Sequence, residues 1–258
     1  MQHLPHERRR GTHPRALRRA NHPRPGRPHR RIARLSRHIV GVGGQQLEHP
    51  AIPAYVLELA GAPRPRALFI PTAAGDDPAA IERFETAYGA DRCERDVLRL
   101  FGRDDDLATP IAAADVIVVS GGSTLNLLAL WRLHGVVDLI RAAYERGAVL
   151  TGASAGCICW FADGITDSYG PTLRPLGDGL GWLAGSACPH YDGEPTRRPT
   201  YLDAMKNGRI TPGYAIDDAV ALHFEDERFV EAVSPRPNGR AFRVDHDGEH
   251  PLPVRLIG

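Results

Sequence analysis

The sequence contains no stretch approaching the roughly 18 consecutive apolar residues that a membrane-spanning helix needs, so no membrane role is expected of it. Cysteine is scarce. The four that occur (Cys93, Cys157, Cys159 and Cys188) form no C-x-x-C pair, and a chain of 258 residues buries enough core to need no disulfide staples. The reading is four reduced thiols. No His or Cys pairs stand at metal-ligand spacings, and neither a P-loop lysine nor a G-x-G-x-x-G fingerprint occurs, so no metal and no cofactor are expected. The first 37 residues lack the apolar centre of a secretory signal, which leaves a cytoplasmic protein as the expectation.

Net charge is also nearly absent, at +1, but this total hides two unlike segments. Residues 1–37 carry twelve of the 32 Lys and Arg and one of the 31 Asp and Glu, together with five Pro and five His. Such a segment buries too little apolar surface to offset its ordering entropy and is expected to be a disordered, dispensable basic tail. Residues 38–258 carry a net charge of −10 and form the folded domain. An acidic body gives no support to nucleic-acid binding. Self-association is left open.

From His38 onward, short apolar runs alternate with longer amphipathic segments, the texture of a parallel sheet with crossover helices. Strands are expected at His38–Val42, Ala67–Ile70, Val97–Phe101, Asp115–Val119 and Ala148–Thr151. Helices are expected at Pro78–Tyr88, Thr124–Leu133 and Val136–Arg146, with an acidic helix start at Asp104, Asp105 and Asp106. Beyond Gly164 the pattern predicts a strand near Leu183–Ala187, a helix over Pro199–Asn207, and strand-like runs at Tyr214–Phe224, Arg228–Val233 and Arg240–Val244. The last of these read as antiparallel strands added to the sheet.

Chemistry concentrates in Thr151-Gly-Ala-Ser-Ala-Gly156, where a strand feeds G-x-S-x-G and then an apolar helical stretch. Small neighbours permit the strained turn that lifts a serine above a sheet, which makes Ser154 a candidate nucleophile. The bland alternative is a strand-to-helix turn with a serine cap. A serine nucleophile needs a base, and His190 follows an apolar run downstream, whereas His38 precedes its strand and His134 ends a helix. An orienting carboxylate is sought in the adjacent pair Asp217 and Asp218, of which strand alternation allows one to face the site. Gly122, in Ser120-Gly-Gly-Ser123, and Ala155 are placed to offer oxyanion N–H groups.

Val119-Ser-Gly-Gly-Ser-Thr-Leu-Asn-Leu-Leu, Thr151-Gly-Ala-Ser-Ala-Gly and Pro189-His-Tyr, in this order, resemble peptidase E, the aspartyl dipeptidase group of serine peptidases. That group is related to class I glutamine amidotransferases and to cyanophycinase. The resemblance spans about residues 38–245. It implies a flavodoxin-like three-layer α/β sandwich with a mostly parallel sheet, Ser154 as nucleophile, His190 as base, and Asp218 where the family carries Glu. It also implies that Arg197, in Gly193-Glu-Pro-Thr-Arg, meets the side-chain carboxylate of an Asp-X dipeptide. Glutamine amidotransferases would carry cysteine in place of Ser154. The implied activity is hydrolysis of small peptides. The alternatives are a cyanophycinase-like hydrolase of an unusual amide and a non-catalytic ligand-binding relative.

Overall fold

The first apolar runs of the chain are nearly continuous because both faces of the strands they form are covered. The computed structural model describes residues 36–102 and 105–258, which lie in one compact unit, Leu35–Gly258. In chain order the elements are β1 (His38–Val42), α1 (Ala51–Leu59), β2 (Arg66–Ile70), α2 (Pro78–Ala87), β3 (Glu94–Val97), α3 (Ala108–Ala113) and β4 (Val116–Val119). There follow α4 (Thr124–Leu133), α5 (Val136–Glu145), β5 (Val149–Ala153), α6 (Ala155–Ile158), β6 (Phe161–Thr166), β7 (Arg174–Pro175) and β8 (Leu183–Cys188). The last third holds α7 (Arg197–Lys206), β9 (Gly213–Ile216), β10 (Ala221–Glu225), β11 (Arg228–Ser234), β12 (Ala241–Asp245), β13 (Gly248–Leu252) and β14 (Val254–Leu256).

The main sheet runs β14-β11-β10-β1-β5-β4-β2-β3. Neighbours from β1 to β3 pair in parallel, and β10 and β11 are the antiparallel additions expected near the C-terminus. Strand alternation sorts side chains between two cores. In β4, Ile117 and Val119 join one cluster with Trp131 and Ile140 of α4 and α5, while Val116 and Val118 join the other with Ile52 and Phe84 of α1 and α2. Helices on both faces make the expected sandwich.

A second sheet, β13-β12-β9-β8-β6-β7, packs with α7 in the C-terminal half. The run Tyr214–Phe224, expected as one strand, is therefore two strands in different sheets. The break falls at Asp217–Val220, where Ala219 takes a φ of +59°. The third strand also differs from expectation: it is Glu94–Val97 rather than Val97–Phe101. As the edge strand beside β2 it needs no apolar face, and Leu98 packs into the core just past its end. The helical stretch after Ser154 is only one turn long before the chain enters β6. Asp104 and nearly all of the basic tail lie outside the described residues; Asp106 does serve a helix start, accepting the Thr109 N–H at 3.0 Å ahead of α3.

Far from the strand ends used by the site, a hydrogen-bonded chain has one internally consistent proton arrangement when its imidazoles are neutral. The Glu231 carboxylate, paired with Arg255 at 2.7 Å, accepts the Tyr55 hydroxyl at 2.9 Å. Tyr55 must then accept from His223 Nδ1–H at 2.7 Å, and His223 Nε2 accepts His38 Nδ1–H at 2.9 Å. Burial, aided by the neighbouring His38, brings the His223 pKa down to about 4. Between pH 6.5 and about 4 the unfolded chain takes up a proton that the folded one refuses, so stability falls as pH drops through this window. The full loss is about 3 kcal/mol. Urea midpoints at pH 7 and pH 4.5 measure it, and His223→Gln should flatten the dependence; an equal slope in the variant would remove His223 as its cause.

Candidate active site

The carboxyl ends of β1, β5 and β4 deliver Gly43-Gly44, Ser154 and Ser120-Gly121-Gly122 to one rim of the main sheet, the position at which open α/β sheets hold their ligands. Ser154 stands at its centre because β5 lies between β1 and β4. Its backbone has φ +54° and ψ −113°, a conformation that costs on the order of 1–3 kcal/mol in a residue with a side chain. The flanking glycines explain how the turn closes. A Cβ on Gly152 would fall 2.5 Å from the Gly156 carbonyl oxygen, and one on Gly156 would fall 2.6 Å from that of Val119. The Ser154 side chain makes no capping hydrogen bond to α6, unlike Ser123, whose hydroxyl accepts the Asn126 N–H. Ser154 therefore sits at the strand-to-helix turn without capping it.

His190 follows β8 and its backbone N–H donates to the Gly43 carbonyl at 3.2 Å, which ties it to the end of β1. Its Nδ1 lies 2.7 Å from Asp218 Oδ1. A carboxylate oxygen only accepts, so Nδ1 carries a proton, and in the neutral imidazole the lone pair is then on Nε2. Gly44 makes room for this pair: a Cβ there would lie 2.1 Å from Asp218 Oδ1 and 2.6 Å from His190 Cε1. Gln45 Nε2 reaches the other Asp218 oxygen at 3.4 Å.

Of the two adjacent aspartates it is Asp218 that meets His190. Asp217 turns the other way, is buried, and accepts the Arg240 backbone N–H and guanidinium at 3.2 and 2.9 Å. Burial raises its pKa, and Arg240 opposes that rise.

Ser154 and His190 both line a cavity of about 260 Å³, together with Gly121, Gly122, Gln46 and Glu48. Ala155 follows Ser154 as the buried first residue of α6. The four cysteines are buried and unbridged, and burial pushes the Cys157 thiol up to about 12, so none is a nucleophile for this cavity. Among the described residues no group of three or more His, Cys, Asp or Glu is arranged to hold a metal ion. No described helix is long and apolar enough to cross a membrane.

The structure does not bring Arg197 to the cavity. Its guanidinium is almost wholly buried, donating to Glu194 at 2.7 Å and to the Ile165 carbonyl at 2.9 Å, so its charge is spent on anchoring α7. Arg83 of α2 is instead the basic residue among the described residues that line the cavity. An exposed arginine on a helix carries no local signature, so nothing in the sequence marks Arg83. Gly43-Gly44 does carry one, as a glycine pair that closes a strand beside the elbow strand.

A family profile described as Peptidase family S51 matches residues 39–232. The uncharacterized peptidase YgaJ of Bacillus subtilis strain 168 is 42% identical over 226 residues, covering 85% of this chain and 97% of that protein. A peptidase E of Citrobacter koseri is 37% identical over 89 residues, which cover 33% of this chain and 39% of that one. Among solved structures, a peptidase from an acI-B1 Actinobacterium superposes with a TM-score of 0.66 at 18% identity, over 87% of this chain and 97% of its own. A putative peptidase E from Listeria monocytogenes EGD-e gives a TM-score of 0.58 at 19% identity, over 76% and 97%. These structural likenesses support the flavodoxin-like sandwich.

Proposed function

This chain belongs to peptidase family S51, a serine-type peptidase acting on peptides, and from that premise we propose that it hydrolyses small peptides through Ser154, His190 and Asp218. The observation that carries the reading is the 2.7 Å His190–Asp218 pair at the cavity that also holds the strained Ser154. Ser154 Oγ attacks the scissile carbonyl while His190 Nε2 takes its proton. The N–H groups of Gly122 and Ala155 receive the oxyanion. Collapse of the tetrahedral adduct breaks the C–N bond, and His190 returns the proton to the departing amine. Water, deprotonated by the same imidazole, then releases the acyl group from Ser154. Asp218 keeps the proton on Nδ1 and stabilises the imidazolium formed in each half.

For substrate choice we assign the carboxylate of an Asp-X dipeptide to Arg83, which lines the cavity that Arg197 does not reach. In a panel of Asp-Leu, Ala-Leu and a branched arginyl-aspartate polymer, Asp-Leu is expected to be cleaved best. Arg83→Ala should raise KM for Asp-Leu about tenfold, the cost of one solvent-accessible charged contact, and leave Ala-Leu within about twofold. Equal losses on both dipeptides would reject the assignment, and turnover of the polymer alone would favour the cyanophycinase-like reading. We further propose residues 38–258 as the catalytic domain of a cytoplasmic enzyme, with residues 1–37 dispensable for turnover.

A further inference from the structure

Asp218 is held by more than His190. Its backbone N–H donates to Asp192 Oδ1 at 2.8 Å, and its backbone carbonyl accepts Arg236 Nη1 at 2.9 Å. Arg236 Nη2 closes the ring on Asp192 Oδ2 at 3.1 Å. Three hydrogen bonds thus encircle one residue, and both side chains that make them are partly buried. The two partners come from different places. Asp192 stands two residues after His190, whereas Arg236 lies in the connection between β11 and β12.

The next residue needs this support. Ala219 takes a φ of +59°, which a residue with a Cβ rarely adopts, and it is held there by the Gly44 carbonyl accepting its N–H at 3.0 Å and by Ser234 Oγ donating to its carbonyl at 2.9 Å. Ser234 Oγ also accepts the Arg236 backbone N–H at 3.0 Å, so the strained turn and the arginine share one anchor.

We propose that Asp192 and Arg236 are positioning residues for the reaction: they join the His190 loop to the Asp218 turn and thereby fix the distance between imidazole and carboxylate. The proposal rests on the assignment of His190 and Asp218 above. Neither residue touches the cavity. Their effect reaches the reacting atoms only through the His190–Asp218 hydrogen bond, whose carboxylate would otherwise ride on a turn free to relax. A guanidinium is needed because two of its nitrogens serve two acceptors at once, which a lysine ammonium on its flexible stem does not reproduce with fixed geometry.

The test compares Arg236→Ala, Arg236→Lys, Asp192→Ala and the near-isosteric Asp192→Asn in the full chain. Dipeptide turnover is followed beside the proton NMR resonance of His190 Nδ1–H, identified by its disappearance in His190→Ala. The two alanine variants are expected to lower kcat between about tenfold and 10²-fold with KM within about twofold, the cost of a small misplacement of a catalytic group. The Nδ1–H resonance should move upfield or broaden, and Arg236→Lys and Asp192→Asn should fall between wild type and alanine in both readouts. An unmoved resonance in Arg236→Ala and Asp192→Ala overturns the proposal whatever the rates do. If the wild-type protein cleaves no dipeptide, the hydrolytic reading fails by itself, and the resonance still decides whether the ring holds the pair.

Discussion

Ser154→Ala is expected to lower kcat for dipeptide hydrolysis on the order of 10⁴- to 10⁶-fold, and His190→Ala to fall in the same range. The size follows from the division of labour. Without the hydroxyl no acyl intermediate forms, and without the imidazole the hydroxyl is too weak a nucleophile to attack an amide at neutral pH. Because the two side chains act as one unit, the double variant should be no slower than the worse single variant, the residual rate coming from oxyanion donors and binding alone. KM should change little. Multiplicative losses, or more than a tenth of wild-type activity in Ser154→Ala, would assign the chemistry elsewhere. The buried cysteines offer no substitute, since Cys157 is wholly enclosed and its thiolate is disfavoured.

The second large effect is expected at a residue with no reactive atom. A Cβ on Gly44 would stand 2.1 Å from Asp218 Oδ1 and 2.7 Å from His190 Nδ1, between the two groups that share a proton. Gly193 closes the other side, where a Cβ would lie 2.4 Å from Asp218 Oδ2, so the carboxylate has nowhere to retreat. Gly44→Ala should therefore push the pair apart and lower kcat about 10²- to 10⁴-fold, approaching the loss seen when a triad carboxylate can no longer hold the right tautomer. Overpacking should cost a further 1–3 kcal/mol or so of stability. Combining Gly44→Ala with Asp218→Ala separates the two consequences: removing the carboxylate relieves the closest overlap and leaves room for the imidazole to shift, so part of the stability returns, while activity stays lost. Near-wild-type kcat in Gly44→Ala would mean that the His190–Asp218 contact is not needed for turnover.

Much of this arrangement is legible from residue order. The parallel strands announce themselves because both faces are buried, and Ser154 stands out because glycines two residues to either side of it are required where β5, α6 and β4 meet. What the sequence conceals is how distant segments converge. Asp217 and Asp218 are chemically alike neighbours, and only the break between β9 and β10, with each strand entering a different sheet, sends one to Arg240 and the other to His190. Arg197 misleads for a related reason. Its motif neighbours suggest a substrate contact, but α7 begins at that residue and turns its guanidinium into the interior against Glu194 and Ile165. The edge strand Glu94–Val97 is hidden by its polarity, since an edge needs no apolar alternation to pair with β2.

The central claim is that Ser154 is an activated nucleophile, and covalent trapping tests it most directly. Wild-type protein incubated with a fluorophosphonate and mapped by peptide mass spectrometry should carry one phosphonyl group on Ser154. Labelling should be slowed strongly in His190→Ala, where the base is missing. A wild-type protein that cleaves dipeptides yet leaves Ser154 unlabelled, or labels at the same rate without His190, would contradict the account.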